Sequence, residues 1–230
     1  MSELIISEMF GMTLQGEGRS QGRPAFFVRL GMCNLDCSWC DTPYTWDWTG
    51  KNGTKYSKKD LLHLSIDDIL DIIPGDCPRL IITGGEPMIQ KKHLIPFIEA
   101  LPDTMAVEIE TNGTLSPAGI PAFVHFNVSP KLPHSGISFD KGINIDVLRE
   151  FNDLDADFKF VVSREEDIEL ISDIQHIVEI HGSNIWIMPE GRSADEITAE
   201  LPQWFSVCAD NYWNLSTRLH VLAFNDKRGI

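Results

Sequence analysis

The sequence predicts an α/β protein with a mostly parallel sheet, in the form of an open or incomplete barrel of about six strands. Two observations favour this fold. Short apolar runs rich in β-branched and aromatic residues recur along the chain, and amphipathic helical segments with their own start signals lie between several of them. About six or seven strands are too few for a closed eight-stranded barrel.

Each apolar run has the composition of a buried strand. A further strand is expected within 213–219. The six main runs are Ala25–Leu30, Leu80–Thr83, Ala106–Thr111, Phe126–Ser129, Asp157–Val162 and Asn184–Pro189.

Three capping signals predict helices between these strands. Each consists of a serine followed three residues later by an acidic residue, which is the spacing of a capping box. Alternating strands and helices imply parallel strands joined by right-handed crossovers. The signals are Ser65–Asp68 with an end at Pro74, Ser163–Glu166 with a stop at Gly182, and Ser193–Glu196 with a bend or delay at Pro202.

Composition restricts the function classes. The net charge of −15 argues against a broad basic surface for nucleic acid. No apolar run reaches the ~20 residues needed to cross a bilayer, and the N-terminal stretch does not resemble a signal peptide. Residues 1–230 contain no linker or repeat that would divide them. We therefore expect one domain in the cytoplasm, with neither nucleic acid nor membrane as a partner.

Chemically distinctive residues follow several of the predicted strands. Cys33 follows the first, the segment 84–87 (Gly-Gly-Glu-Pro) the second, Asn112 the third and Lys131 the fourth. Ligands of parallel α/β proteins gather at the carboxyl ends of the strands. The sequence therefore predicts one shared site there.

The loop after the first strand carries Cys33, Cys37 and Cys40 in a C-x3-C-x2-C spacing. Thiolates are soft ligands that select zinc, copper(I) or iron–sulfur clusters. Three of them match three corners of a four-iron cluster and leave one iron open. A zinc site is the alternative, with His63 or His93 as a distant fourth ligand.

With this spacing and the Gly-Gly-Glu-Pro segment, the sequence resembles the radical S-adenosylmethionine (SAM) enzymes. Within that superfamily it is similar to a branch with a reduced barrel that makes a deazapurine. The motifs that carry this similarity are the stretch 9–18, 27–30 before the cysteines, Cys40–Thr42, Thr83–Pro87, Glu110–Gly113 and Val128–Lys131.

The resemblance implies a radical SAM fold and a lyase reaction. Its substrate would be 6-carboxy-5,6,7,8-tetrahydropterin and its products 7-carboxy-7-deazaguanine and ammonia, in queuosine or 7-deazapurine biosynthesis. The implied cofactors are a [4Fe-4S] cluster, SAM and Mg²⁺. The implied partners are an external flavodoxin-like one-electron reductant and a second copy of the chain in a homodimer. Residues 1–24 would form a substrate-binding segment and 31–56 the cluster loop.

The resemblance also assigns individual residues. Arg29 would hold the substrate carboxylate through its guanidinium fork, with a structural ion pair as the alternative. Thr42 would bind Mg²⁺, and Cys33, Cys37 and Cys40 would bind the cluster. The remaining substrate residues are Leu14, Gln15, Gly16, Glu17 and Thr83, and the SAM residues are Trp39, Asp41, Gly85, Glu86, Ser129, Pro130, Lys131, Met188, Pro189 and Glu190.

Two other functions remain open at this point. A glycyl-radical activating enzyme has the same cysteine spacing but acts on a protein. A zinc-binding module without catalysis would use the same thiolates. Six histidines have no spacing typical of a metal pair and are expected at the surface or hydrogen-bonded: His93, His125, His134, His176, His181 and His220.

Overall fold

The computed structural model describes residues 3–230. Met1 and Ser2, which belong to the predicted substrate-binding segment, lie outside the described residues. Strands and helices alternate along most of the chain. The strands are β1 (Glu3–Leu14), β2 (Pro24–Leu30), β3 (Leu62–Ser65), β4 (Arg79–Gly84), β5 (Ala106–Thr111), β6 (His125–Val128), β7 (Asp157–Val162), β8 (Ile185–Pro189) and β9 (Asn214–Leu215).

Helices follow most of the parallel strands, and several short 3₁₀ turns join the elements. The helices are α1 (Ile66–Ile72), α2 (Lys91–Glu99), α3 (Phe139–Gly142), α4 (Ile145–Asn152), α5 (Glu166–Val178), α6 (Ala194–Asn211) and α7 (Leu219–Phe224).

The nine strands within residues 3–230 form one sheet in the order β3-β1-β2-β4-β5-β6-β7-β8-β9. From β2 to β9 every neighbouring pair is parallel, whereas β1 and β3 are antiparallel additions beside β2. The sheet is not closed, so the predicted incomplete barrel is confirmed. The sequence did not predict β1 and β3, because both strands are partly exposed and lack a continuous apolar run.

The parallel strands separate two kinds of side chain. On one face Val28, Ile82 and Ile109 are fully buried in the main core against the helices. On the other face Arg29 lies beside Thr83 in register. Because successive residues of a strand point to opposite faces, each apolar run also delivers polar groups to the barrel interior.

The loop between β1 and β2 contacts residues of the sheet and of the segment after β9. Ser20 Oγ donates to Glu108 Oε2 at 2.8 Å, and the Gly18 amide donates to Ser216 Oγ at 2.8 Å. Arg19 forms an ion pair with the buried carboxylate of Asp157. These contacts hold the loop against strands that are far apart in the sequence.

Two of the predicted capping boxes are confirmed, those of Ser65 with Asp68 and of Ser193 with Glu196. The helix after Ser193 begins at once and continues through Pro202, so the expected delay was wrong. Its bend stays a prediction.

The helix predicted from Ser163 and Glu166 is α5, and it starts and ends at other residues than the prediction gave. Asp167, one residue after Glu166, accepts the amide hydrogens of Ser163 and Arg164 at 3.0 and 3.2 Å. The helix ends at Val178, with Glu179 in the left-handed conformation, before Gly182 is reached. A carboxylate within the first turn thus replaces the serine cap.

Among residues 3–230 no helix combines the length and the apolar character needed to cross a membrane.

Candidate active site

A cavity of about 260 Å³ opens at the carboxyl ends of the parallel strands. The loop after β1, the cysteine loop and the segment 218–230 enclose it. Sixteen predicted site residues line it: Leu14, Gln15, Gly16, Glu17, Arg29, Cys33, Cys37, Trp39, Cys40, Asp41, Thr42, Thr83, Gly85, Ser129, Lys131 and Met188.

The three cysteine thiols lie on one side of this cavity and are free of disulfides. Hydrogen-bond donors already point at two of the sulfurs: the Leu35 amide lies 3.4 Å from Cys33 Sγ, and Trp46 Nε1 lies 3.3 Å from Cys40 Sγ. Burial raises the pKa of the Cys33 thiol to about 12. Binding of a metal to this sulfur therefore has to displace a proton.

Gly84 and Gly85 hold the start of the cysteine loop. The Gly85 amide donates to the Leu30 carbonyl at 3.1 Å, and the Glu86 amide donates to the Met32 carbonyl at 2.8 Å. A Cβ atom on Gly84 would lie 2.2 Å from the Leu30 carbonyl oxygen, and one on Gly85 would lie 2.0 Å from that of Met32. The glycine pair thus lets the end of β4 lie directly against the residues before Cys33.

Glu86 does not reach the cavity. Its buried carboxylate accepts hydrogen bonds from the Met88 amide, from the Asn112 amide and from Thr111 Oγ1, at 2.9, 2.7 and 2.8 Å. Burial raises the pKa of this carboxyl group. In the structure Glu86 joins the ends of β4 and β5, whereas the sequence assigned it to SAM.

Lys131 and Trp39 form the wall next to the cysteines. Lys131 Nζ donates to Ser129 Oγ at 2.8 Å and lies 5.6 Å from the centre of the Trp39 ring. Within residues 3–230 the buried indole nitrogen of Trp39 has no hydrogen-bond partner. This wall therefore presents a cation to the cavity.

The other predicted SAM residues are placed less directly. Pro189 and Glu190 line a smaller pocket beside the main cavity, which they share with Trp39, Asp41 and Met188. Pro130 lines neither pocket.

Arg29 is the second-last residue of β2. Its Nε donates to Glu8 Oε1 at 2.8 Å, across the β1–β2 pair. The structural ion pair that the sequence left open is therefore present, and Arg29 lines the cavity as well. Nearby, Glu110 accepts from Thr83 Oγ1 at 2.8 Å and from Gln15 Nε2 at 3.0 Å. These bonds fix two predicted substrate residues around one carboxylate.

Glu17 is the centre of a buried group of charges. Its carboxylate pairs with Lys159 on β7 and with Arg218, whose Nε lies 3.0 Å from Glu17 Oε1. Arg218 also pairs with Asp41, next to Cys40. Burial opposes ionisation of Glu17, but the two cations outweigh it and hold its pKa well below its usual range. The group joins the loop after β1, the cysteine loop and the segment 218–230.

His220 lies beside Gly16 in the cavity wall. A Cβ atom on Gly16 would lie 2.0 Å from His220 Nδ1, and the Leu219 amide donates to the Gly16 carbonyl at 2.9 Å. Burial lowers the pKa of His220, which favours the neutral imidazole. His220 was expected at the surface or hydrogen-bonded, and that expectation did not include its position in the cavity wall.

Thr42 faces the cavity directly after the cysteines, with its Oγ1 3.7 Å from Cys40 Sγ. Its carbonyl accepts from Thr45 Oγ1 at 2.8 Å, which orders the turn that follows. The hydroxyl is thus placed where it can contact a ligand in the cavity.

The charges that line the cavity reverse the balance of the whole chain. The chain has 19 basic and 34 acidic residues. The cavity is lined by four acidic residues and six basic ones: Arg29, Lys131, Lys159, Arg218, Lys227 and Arg228. A concave site with this excess favours anionic ligands.

Comparison with known proteins agrees with this geometry. Residues 28–153 match the model of the radical SAM superfamily. A 7-carboxy-7-deazaguanine synthase from Pyrobaculum aerophilum is 31% identical over 97% of this chain and 96% of its own length. The chain belongs to this family of radical SAM enzymes. A second synthase, from Koribacter versatilis, is 36% identical over 81% of this chain and 78% of its own length.

Solved structures agree. The crystal structure of QueE from Escherichia coli has a TM-score of 0.73 and 28% identity, and 96% of each chain is covered. SuiB of Streptococcus suis, with 14% identity and a TM-score of 0.55, shares the fold alone.

Membership of the synthase family implies a [4Fe-4S] cluster and SAM, and the residues present fit both. Among residues 3–230 no three His, Cys, Asp or Glu side chains converge on a single metal ion. A four-iron cluster is wider than one ion and needs its thiolates apart. The N–H groups at two sulfurs suit thiolate ligands, and Lys131 suits the carboxylate of SAM.

Some cavity residues had no role assigned from the sequence. Lys159 carried a usable signal, because an unpaired cation within an apolar strand is costly and therefore indicates a buried partner or a ligand. Tyr44, Arg218 and Arg228 carried none, since only the folded chain brings them to the site.

The contact of Gly85 with Met32 gives a first prediction. Gly85→Ala should lower the iron and sulfide content after anaerobic reconstitution to well under half of wild type. It should also reduce the free energy of unfolding by about 2–3 kcal/mol, because the added methyl group overlaps the Met32 carbonyl. Gly75→Ala is the matched control, since nothing lies within 4 Å of its Cβ position. Equal iron and sulfide content in both variants would contradict the conclusion that the contact of Gly85 with Met32 positions the cysteine loop.

The charges around Glu17 give a second prediction. Glu17→Gln leaves two buried cations without their carboxylate, so urea denaturation at pH 7 should show a loss of about 3 kcal/mol. The pKa of Glu17 is lowered from its ordinary value of 4.5. The difference from wild type should therefore be complete above pH 4.5 and shrink as the pH falls below it.

Asp146→Asn provides the control for Glu17→Gln. It removes the carboxylate of an ion pair with Arg149 whose side chains are 90% and 51% exposed. Its cost should stay below about 1 kcal/mol. A Glu17→Gln variant that is no less stable than this control would overturn the interpretation.

Proposed function

We propose that the chain converts 6-carboxy-5,6,7,8-tetrahydropterin to 7-carboxy-7-deazaguanine with loss of ammonia, as a lyase of queuosine or other 7-deazapurine biosynthesis. The observation that carries the proposal is one continuous cavity that runs from the three cysteines to Arg29 and Glu110. The synthases from P. aerophilum and K. versatilis support it by their names.

In this proposal the two ends of the cavity bind different ligands. Lys131 neutralises the carboxylate of SAM next to the cysteines, and the Trp39 indole borders the same ligand. Arg29 is held through Nε by Glu8, so its Nη groups face the substrate carboxylate. Gln15 and Glu110 hydrogen-bond the polar edge of the pterin, as their existing contacts place amide and carboxylate groups side by side.

Bound cluster and SAM supply the radical that removes a hydrogen atom from the substrate. The chain's own residues orient the substrate and exclude water. Glu17, Lys159 and Arg218 hold the loop after β1 in place, and His220 closes the wall beside it. Thr42 binds a Mg²⁺ ion through its hydroxyl, with water and substrate oxygens as the remaining ligands.

The partners belong to the same proposal. A flavodoxin-like carrier supplies one electron to the cluster. Four lysines in the segment 51–59, just after the cysteines, would attract an acidic carrier of this kind. We further propose a homodimer in the cytoplasm, with no nucleic acid or membrane as a partner.

The activity is tested by anaerobic reconstitution, followed by incubation with SAM, the carboxylated tetrahydropterin and a reductant. We expect a brown protein that forms 7-carboxy-7-deazaguanine and ammonia. Arg29→Gln should lower kcat/KM at least about 100-fold, because a bidentate carboxylate contact is lost. Arg149→Gln, at the surface, is the control.

Three outcomes would count against the proposed reaction. A colourless protein that binds zinc would indicate a metal-binding module. A radical placed on a protein substrate would indicate an activating enzyme. A cluster-loaded protein that cleaves SAM but forms no deazaguanine from the pterin would exclude this substrate.

The magnesium proposal has its own test. Thr42→Ala should raise the Mg²⁺ concentration for half-maximal product formation about tenfold, with SAM affinity unchanged, because only the ion loses a ligand. Thr54→Ala, an exposed threonine of the same loop, is the control. An unchanged Mg²⁺ dependence in Thr42→Ala would remove Thr42 from the ion's coordination.

A further inference from the structure

Glu8 on β1 connects three parts of the chain. Its Oε1 accepts from Arg29 Nε and from the Tyr44 hydroxyl, each at 2.8 Å. Its Oε2 accepts from Arg228 Nε at 2.8 Å. One carboxylate therefore joins the cavity wall at β2, the turn after the cysteines and the segment 225–230.

Arg228 makes a second contact that reinforces the first. Its guanidinium carbon lies 3.7 Å from the centre of the Tyr44 ring, within cation–π range. Residues 225–230 all line the cavity. Arg228 is therefore the side chain that fixes this segment against the turn that carries Tyr44.

Two guanidinium groups meet on one carboxylate here. Arg29 and Arg228 share the single carboxylate of Glu8. Asp41 and Glu110 also face Arg29, but neither forms a direct ion pair with it: Asp41 pairs with Arg218, and Glu110 accepts from the neutral Thr83 and Gln15. A carboxylate bound at Arg29 would therefore be the second group, after Glu8, to form a direct ion pair with its guanidinium.

We propose that Arg228 is a positioning residue for the carboxylate of the substrate. It holds Glu8 and Tyr44, and through Glu8 it fixes the orientation of the Arg29 guanidinium while residues 225–230 close over the ligand. This inference rests on the proposed function, because it assigns the substrate carboxylate to Arg29.

The test compares two fluorescent ligands on the cluster-loaded protein: 6-carboxypterin, and pterin without the carboxylate. We expect wild type to bind 6-carboxypterin at least about tenfold more tightly than pterin. We call the Kd of pterin divided by the Kd of 6-carboxypterin the ratio. Arg228→Gln should lower this ratio at least about threefold, mainly through weaker binding of 6-carboxypterin. Arg228→Lys keeps the positive charge but loses the forked guanidinium, so its ratio should lie between those of wild type and Arg228→Gln.

Two further variants separate the contacts. Tyr44→Phe removes the hydroxyl bond to Glu8 but keeps the ring beneath Arg228, so it should narrow the ratio less than Arg228→Gln does. Arg149→Gln removes a guanidinium of similar exposure, 51% against 53%, and should leave the ratio unchanged. SAM affinity should be the same in all variants.

The outcomes distinguish this inference from the function on which it rests. If wild type does not prefer 6-carboxypterin, the carboxylate site at Arg29 is wrong. The other outcome is that wild type prefers 6-carboxypterin while Arg228→Gln keeps the full ratio, either with unchanged affinities or with equal losses of affinity for both ligands. In that case Arg228 does not position the carboxylate.

Discussion

The backbone of Gly84 and Gly85 lies directly against the backbone of Leu30 and Met32, and the geometry of the site depends on this contact. Two parallel strands end side by side, and the chain after β2 turns away at once to form the cysteine loop. The distances to Leu30 and Met32 leave no room for a Cβ atom at either glycine. The distance between the cysteines and the strand ends is therefore set by main-chain hydrogen bonds.

The interior of the barrel is organised by charge. An acidic chain places more cations than anions around its cavity, and several of those cations already share carboxylates of the chain. Glu17 and Glu8 each accept from two basic side chains. Such sharing holds long side chains in fixed positions and leaves positive charge for a ligand. The two groups also join the loop after β1 and the segment 218–230 to the strands that lie between them in the sequence.

The Gly-Gly-Glu-Pro segment lies where the sequence predicted it, but the Glu86 side chain within it does not point into the cavity. The motif lies at the predicted strand end, and Gly85 lines the cavity. The carboxylate turns inward, where two amides and a hydroxyl satisfy it. A buried carboxylate with three donors lies in a favourable local environment, so its contribution in the structure is to join β4 to β5.

The sequence alone determined the seven parallel strands, the starts of two of the three helices predicted from capping signals, and the residues grouped at the strand ends. Apolar runs and cysteine spacing are local signals, because they depend only on residues that are close together in the sequence. Only the tertiary structure decided the pairing of β1 and β3, the cap of α5 by Asp167, and the presence of Arg218, His220 and Arg228 in the cavity. Those features arise from contacts between residues far apart in the sequence, and no local pattern specifies which distant partner a charge will find.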